Sequence, residues 1–381
     1  MTRETTIDSK SERAARSVRC DVDSQPESVS PRCIKIGDHA IGTALPVYII
    51  AEAGVNHDGE PERAHALIEA AADAGADAVK FQCFTADRLV APGAPKCDYQ
   101  RDHDTAEVHQ HAMLKRLELP AEAFRQLKQN AHEKGLDFLA TPFGTAELAF
   151  LVEKLNVPAL KIASSDLINE PLLTRAARSG LPLIVSTGAS VLEEVDRAIA
   201  CVQKHGDSRR LALLHCVSSY PTRLEAARLR CIATLNQRYG LPIGFSDHTE
   251  ATETGAHAVM AGAVILEKHL TLNRNTPGPD HFFSLEPDAF AEYVRYVRMA
   301  EGMLGDGRIH YAPGEVEVRK LARGRIVTVM ALTAGQRLTE DVLMVQRPGD
   351  GISPAKWGEV IGHVVNRDLP AHAPLDWSLL D

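Results

Sequence analysis

From about residue 34 onward, short runs of β-type apolar residues alternate with longer stretches whose apolar positions recur every three or four residues. The short runs at 47–51, 78–82, 137–141, 159–162, 183–186, 211–215, 243–246 and 264–269 predict strands. Amphipathic stretches near 121–134, 146–155, 170–179, 192–205, 224–239, 252–261 and 287–304 predict helices. A further helix follows the first strand. There Leu67, Ile68, Ala71 and Ala74 share one face, Pro61 suits the first turn and Gly75 suits the stop. Alternating βα units imply an α/β fold with a parallel sheet. About eight units over about 260 residues fit a closed (β/α)8 TIM barrel. A doubly wound open sheet is the alternative, but no GxGxxG follows the first strand, which weakens its dinucleotide-binding version.

The pattern also marks what lies outside the barrel, expected at 34–305. Residues 1–33 are polar, charged and Ser-rich, and predict a disordered N-terminal extension. The polar segment 85–119 reads as an insertion after the second strand, on the face where barrel active sites sit. A charged linker is expected at 306–322. The remaining residues, 323–381, return to short β-type runs at 326–332, 342–345 and 360–365, punctuated by Gly and Pro. They predict a small, mostly β domain too short to be robust without support.

Composition narrows the function. The 381 residues carry 42 Lys+Arg against 51 Asp+Glu, a formal net charge of -9. That excludes a broad nucleic-acid footprint and leaves room only for a local anion pocket. The longest apolar run is about nine residues, at 258–266, far short of the roughly 20 that span a bilayer. The N-terminus lacks the apolar segment of a signal peptide, so a cytoplasmic protein is expected. Seven cysteines without CxxC spacing argue against a disulfide framework or a Cys-based zinc site.

Polar residues at the C-terminal ends of barrel strands read as catalytic, and nearly every expected strand ends in one. Glu52 follows the first, Lys80 and Gln82 end the second, and Thr141 ends the third. Lys161 and Ser164 end the fourth with Asp166 just beyond, Ser186 ends the fifth, and His215 the sixth. Ser246, Asp247 and His248 end the seventh, Glu267 and His269 the eighth. A lysine in apolar β context rarely stays buried without an anion. Lys80 and Lys161 therefore point to a phosphate or carboxylate ligand, or to internal ion pairs with Glu52 or Glu267. The hydroxyls of Thr141, Ser164, Ser186 and Ser246 can cap following helices or help bind an anion, and the two roles can coexist. His248 and His269, one βα unit apart, could hold a divalent metal with help from a carboxylate or water. Asp280, in the rigid Pro277-Gly278-Pro279-Asp280 loop, could be aimed into the mouth or belong to a surface turn.

Read as strings, these residues resemble a known family. They are Ile49-Ile50-Ala51-Glu52-Ala53-Gly54-Val55-Asn56-His57, Val79-Lys80-Phe81-Gln82, Ala140-Thr141-Pro142-Phe143, Lys161-Ile162-Ala163-Ser164 and Leu214-His215-Cys216 with Tyr220-Pro221-Thr222. Further on come Gly244-Phe245-Ser246-Asp247-His248-Thr249, Glu267-Lys268-His269 and Pro277-Gly278-Pro279-Asp280-His281. The tail adds Gln346-Arg347-Pro348-Gly349-Asp350-Gly351-Ile352-Ser353-Pro354. Over about residues 35 to 381 the chain resembles the N-acetylneuraminate (sialic acid) synthases, the NeuB-like enzymes with a C-terminal SAF (antifreeze-like) domain.

The resemblance implies a TIM barrel followed by that small domain, in a domain-swapped homodimer. It implies condensation of phosphoenolpyruvate with N-acetylmannosamine or a related 2-acetamido sugar, giving a nonulosonic acid and phosphate, with Mn2+ or Mg2+ required. Carried onto this sequence, it makes His248 and His269 metal ligands. Lys80, Thr141, Lys161, Ser164, Ser186 and Ser246 become phosphoenolpyruvate contacts; Glu52, Gln82, Tyr220 and Asp280 become sugar contacts. Arg347 is implied to reach over from the partner's tail. Glu52 is also a candidate to position water or relay a proton. Asp166 keeps the carboxylate of a position where many family members have Glu, one methylene shorter. Ser218 and Arg325 also depart from the family pattern, where Asn and Ser are frequent. Legionaminic or pseudaminic acid synthesis is the alternative within the family. A synthase acting on a phosphorylated aldose, a Schiff-base aldolase using Lys161 and a non-catalytic sugar-binding barrel are the rivals outside it.

Overall fold

The computed structural model describes residues 33–381. The expected N-terminal extension, 1–33, lies outside the described residues except for its last position. Two compact units divide after Asp306.

In the first unit a hairpin of β1 (Ile34–Ile36) and β2 (His39–Ile41) precedes the barrel. The barrel runs β3 (Tyr48–Gly54), α1 (Pro61–Asp73), β4 (Ala78–Cys83), then α2 (Ala86–Leu89), α3 (Asp98–His103) and α4 (Gln110–Leu117) in the insertion. Next come α5 (Ala121–Glu133), β5 (Asp137–Pro142), α6 (Thr145–Ala149), β6 (Leu160–Ile162), α7 (Glu170–Arg178), β7 (Leu183–Ser186) and α8 (Leu192–His205). It finishes with β8 (Leu211–Cys216), α9 (Arg230–Tyr239), β9 (Ile243–Asp247), α10 (Thr254–Met260), β10 (Ile265–His269) and α11 (Pro287–Leu304). The eight parallel strands order as β5-β4-β3-β10-β9-β8-β7-β6. β5 and β6, the two ends, lie side by side without a ladder, so the barrel is nearly closed.

The pleat sorts the side chains into two layers, because successive residues of a strand face opposite ways. Ile49, Ala51, Val79, Phe81, Phe138, Ala140, Leu160, Ile162, Val185, Leu213, Phe245 and Leu266 pack outward against the helices. Tyr48, Ile50, Ala78, Leu139, Ala159, Ile184, Ala212, Leu214 and Ile265 fill the barrel interior toward the strand N-termini. The hairpin closes that end: Ile34, Ile36 and Ile41 join the interior cluster, and Asp137 accepts from the Tyr48 hydroxyl at 2.8 Å and pairs with His39 at 3.0 Å. Sequence reasoning assigned no element here, because three-residue strands carry too little periodicity to be seen.

Two expected helices are not continuous α-helix, and a left-handed residue ends the first and interrupts the second. The stretch near 146–155 splits into α6 and a π-helical turn, Phe150–Leu155, ended by Asn156 at φ 51°. The stretch near 224–239 becomes a 3-10 turn, Leu224–Ala226, and α9, separated by Arg228 at φ 51°. The polar insertion is ordered by charge: Lys96 donates to the Asp104 carbonyl at 2.6 Å, and Arg116 donates to the Asp104 carboxylate at 2.6 Å.

The second unit holds α12 (Val316–Ala322), β11 (Arg325–Thr328), β12 (Leu343–Gln346) and α13 (Trp357–Val360). β11 and β12 pair antiparallel over a core that includes Ile326, Leu338, Leu343, Ile352, Val360 and Leu375. The strand expected at 360–365 does not form. Gly362 sits at φ 93°, so Val364 and Val365 make only isolated bridges, to Arg337 and Leu380. Five described cysteines are free thiols and Cys33 is disulfide-bonded. No helix among the described residues is long and apolar enough to cross a membrane.

The hairpin is expected to bear on barrel stability. Ile41 is fully buried, and Ile41→Ala should cost about 2–5 kcal/mol in urea unfolding followed by circular dichroism. A loss below about 0.5 kcal/mol, the size of an ordinary surface substitution, would show that the hairpin does not stabilise the barrel.

Candidate active site

The pleat that fills the lower barrel with apolar residues delivers polar ones at the other end. Two residues on from Ile50, Ala78, Leu139, Ala159, Ile184 and Leu214 come Glu52, Lys80, Thr141, Lys161, Ser186 and Cys216. Ser246 and Glu267, paired in register, follow the same rule, and His248 and His269 continue it. All ten line one cavity of about 580 Å³. Gln82, Ser164, Asp166, Tyr220 and Asp280 line it too. The structure thus brings together the site residues expected in the first unit except His215; Arg347 lies exposed in the second unit.

The cavity floor is a buried charge cluster. Lys80 Nζ lies 2.5 Å from Glu52 Oε2 and 3.6 Å from Glu267 Oε2. Lys161 Nζ lies 3.6 Å from Glu267 Oε1, which also accepts from Ser246 Oγ at 2.8 Å. Lys80 donates to Thr141 Oγ1 at 3.1 Å, and Gln82 Nε2 donates to Glu52 Oε1 at 3.3 Å. Both ion-pair readings of the lysines are therefore realised. Burial depresses Lys161, and Glu267 only partly offsets it. Burial acts on Lys80 as well, but Glu267 and Glu52 outweigh it and hold its ammonium above the ordinary range. Burial would raise Glu267, yet Lys161 and Lys80 pull it down to about 2. Glu52 is raised by burial, with Glu267 adding to the effect against Lys80.

Backbone conformation makes room for the convergence. Gly54 sits at φ 55°, and a Cβ there would come within 3.2 Å of Glu52 Oε1 and 3.3 Å of Gln82 Nε2. A larger residue would push these groups apart and strain the left-handed backbone. The ladder between β3 and β4 shifts register between Glu52 and Gly54, re-aiming the strand end into the mouth.

Four buried polar atoms of cavity-lining residues have no hydrogen-bond partner: Glu52 Oε2 and Glu267 Oε2, which lie beside Lys80, Ser186 Oγ, and His269 Nδ1, which is 3.8 Å from Asp280 Oδ2. Such orphans in a site point to an exogenous ligand. The His248 and His269 rings are 5.5 Å apart. His248 Nδ1 lies 2.8 Å from the Val217 carbonyl, which fixes the tautomer and leaves Nε2 as a lone-pair donor. The pair fits a divalent cation as a two-imidazole half-site. No cluster of three His, Cys, Asp or Glu ligands occurs among the described residues, so further ligands would come from substrate or water.

Other residues depart from expectation. His215 falls on the outer face of β8, opposite Phe245 in register, and its Nε2 lies 2.8 Å from the Ala227 carbonyl. It does not line the cavity. Glu267, expected from the sequence as a strand-end polar residue and ion-pair partner but given no substrate or metal role, is the hub of the floor; its i, i+2 spacing from His269 was the available signal. Tyr99, Gln110, Met113, Leu114 and Leu117 enter the cavity wall from the insertion, which no strand-end rule could reach. Tyr99 stacks toward Tyr220 at 5.0 Å, and Tyr220 lies 4.4 Å from the His248 ring.

Comparison with known proteins places this architecture. The NeuB family profile matches residues 67–309 and the SAF domain profile residues 325–381. The chain belongs to the NeuB family. It is 38% identical over 343 residues to the N,N'-diacetyllegionaminic acid synthase of Legionella pneumophila, covering 89% of this chain and 96% of that one. It is 32% identical over 308 residues to the N-acetylneuraminate-9-phosphate synthase of Mus musculus, covering 80% and 84%. The crystal structure of N-acetylneuraminic acid (sialic acid) synthetase from Leptospira borgpetersenii, in complex with citrate, superposes with a TM-score of 0.68 at 36% identity. That superposition covers 76% of this chain and 95% of the other. This NeuB family member is an enzyme of the sialic acid synthase type.

The site is held at a cost to stability that is measurable. Burial raises the Asp280 carboxyl from 3.8 to about 6, with Glu52 adding to it. The folded state then holds this proton more tightly than the unfolded chain. The group favours folding at low pH, and that contribution is lost as pH rises through about 6. Asp280→Asn in metal-free protein should abolish a stability fall of roughly 2–3 kcal/mol between about pH 4 and pH 7, read from urea midpoints. Parallel pH profiles for variant and parent would contradict this assignment.

Proposed function

We propose that the enzyme condenses phosphoenolpyruvate with an unphosphorylated N-acetylated amino sugar and water, releasing phosphate and a nonulosonic acid. The observation that carries this reading is the distribution of charge in one cavity. Among the described residues, the Lys and Arg side chains that line it are Lys80 and Lys161, both on the floor. One anionic substrate can be neutralised there, and among the described residues of this protomer no further Lys or Arg lines the wall for a sugar phosphate. On the insertion side the wall carries Val55, Phe84, Leu89, Met113, Leu114 and Leu117, with Tyr99, Gln100 and Gln110 as its polar members. Acetamido methyl groups and a deoxygenated carbon suit such a wall better than a run of hydroxyls. A 6-deoxy diacetamido sugar, as in legionaminic acid synthesis, is therefore favoured over N-acetylmannosamine, and a phosphorylated aldose is disfavoured.

The two lysines hold the phosphate and carboxylate of phosphoenolpyruvate, with Thr141, Ser164, Ser186 and Ser246 as hydroxyl partners. Its enol carbon forms the new bond to the sugar aldehyde carbon as the carbonyl π bond breaks, and the aldehyde oxygen takes up a proton to become a hydroxyl. Positive character develops at the enol-ether carbon, and water adds there. Glu52, 2.5 Å from Lys80 and raised by burial, accepts the water's proton. The tetrahedral adduct then breaks its C–O bond and expels phosphate, whose charge the lysines hold. A divalent metal, manganese or magnesium, at His248 and His269 supplies Lewis-acid polarisation of the aldehyde when bound. Asp280 and Tyr220 orient the sugar. A homodimer in which the tail's Arg347 donates to the sugar belongs to the same proposal.

One observation favours a second reading: Lys161 is depressed by burial, as a Schiff-base lysine would be. Borohydride with pyruvate would trap an imine on Lys161 in an aldolase and leave the synthase unmodified.

The deciding experiment measures phosphate release from phosphoenolpyruvate with each candidate sugar, with manganese or chelator. Metal-dependent release with the diacetamido trideoxy sugar, and a nonulosonic acid of matching mass, is expected. Release only with arabinose 5-phosphate or erythrose 4-phosphate would overturn the proposal. A pH arm tests the lysine assignment. Lys161 binds an anion while protonated and loses this ability as pH rises through its value. Glu267→Gln removes the carboxylate that props that value up. Phosphoenolpyruvate affinity should then fall off at lower pH than in the parent, by isothermal titration. An unshifted falloff would mean that Lys161 does not hold the anion.

A further inference from the structure

The pleat that turns His248 and His269 into the cavity turns their neighbours Asp247 and Lys268 the other way. Phe245 and Leu266, two residues earlier on the same strands, lie in the apolar layer under the helices. Asp247 and Lys268 enter that layer as charges, each 1% exposed. A buried ion pair contributes little net stability compared with apolar residues of the same volume. Its placement therefore asks for a role other than stability.

The contacts supply one. Lys268 and Asp247 are register partners at the last rung of the β9–β10 ladder, with Nζ 3.1 Å from Asp247 Oδ2. The same ammonium donates to the Thr249 carbonyl at 2.5 Å, and Asp247 Oδ1 accepts from the Thr249 backbone N–H at 2.8 Å. His248 is thus bracketed: the residue before it and the residue after it are both tied to the residue preceding His269. Tyr293 of α11 covers the ammonium, its ring 5.5 Å away, and Thr249 Oγ1 meets Thr254 Oγ1 of α10 at 2.9 Å. The clamp is anchored in the helical layer and acts on both strand ends.

We propose that Asp247 and Lys268 are positioning residues that set the separation and orientation of the His248 and His269 imidazoles toward a divalent cation. This rests on the reading of those two histidines as metal ligands. Outer groups that orient metal ligands typically change affinity by about 10–100-fold when removed.

The test titrates metal-free full-length protein with Co2+, reading affinity by calorimetry and ligand geometry by visible absorption. The Asp247→Asn/Lys268→Met double variant leaves no uncompensated buried charge. It should bind Co2+ about 10–100-fold more weakly with an altered spectrum, while near-ultraviolet circular dichroism and phosphoenolpyruvate affinity stay those of the parent. Lys268→Arg keeps the charge pair and changes its reach, so its cobalt spectrum should shift in a folded protein. Parent-like affinity and spectra in these variants, with His269→Ala losing Co2+, would overturn the positioning role alone. Parent-like Co2+ binding by His269→Ala would overturn the metal reading and the proposal with it.

Discussion

Lys80, Lys161, Glu52 and Glu267 make a floor of four buried charges, and the rest of the site is arranged around that constraint. Any one of them alone would be costly to bury. Together they balance, and Thr141, Ser246 and Gln82 occupy remaining hydrogen-bonding positions. Such a cluster cannot be assembled on flexible loops, because each ion must meet its partner within a few tenths of an ångström. Parallel strands meet that demand. Glu52 is the register partner of Lys80 across β3 and β4, and Ser246 of Glu267 across β9 and β10, with β3 and β10 themselves paired, so backbone hydrogen bonds fix the charge spacing before any side chain contributes.

A balanced floor has a consequence for the proposed chemistry. An incoming phosphate and carboxylate compete with Glu52 and Glu267 for the same two ammonium groups. Glu267, held down to about 2, stays ionised throughout. Glu52, raised by burial and by Glu267, is the carboxylate that can take up a proton as negative charge accumulates. In the proposed mechanism this asymmetry favours Glu52 over Glu267 as the proton acceptor. The orphaned Ser186 hydroxyl fits the same picture, as a donor whose partner arrives with the substrate.

Much of this was legible in the sequence because a strand has period two. Once Lys80 is read as the inward end of a run containing Ala78, the alternation predicts Gln82 as well, and the same logic carries Ser246 to His248 and Glu267 to His269. It also explains why His215 was misjudged as a site candidate. It ends an expected strand, but it stands one position out of phase with Cys216, which is the residue that enters the cavity. What alternation cannot show is anything supplied by the insertion. Tyr99 and Met113 reach the cavity through α3 and α4, whose fold depends on Lys96, Asp104 and Arg116 meeting across twenty residues. Left-handed backbone at Asn156 and Arg228 was likewise invisible, since neither residue type announces it as glycine does.

The two faces of the β9 and β10 ends divide labour in a way that follows from the pleat. Inward positions must stay incompletely satisfied to receive ligands, as His269 Nδ1 does. Groups left so are free to rotate or to find local partners unless something outside the cavity restrains them. A purely apolar outer face would pack well but slide, because dispersion contacts are weakly directional. Charged groups with fixed hydrogen-bond geometry define a direction, and Asp247 and Lys268 hold the backbone N–H and C=O of Thr249, next to His248, in that way. The outward charge pair and the inward unsatisfied imidazoles are then two sides of one requirement: a ligand-ready strand end needs rigid support where the ligand is not.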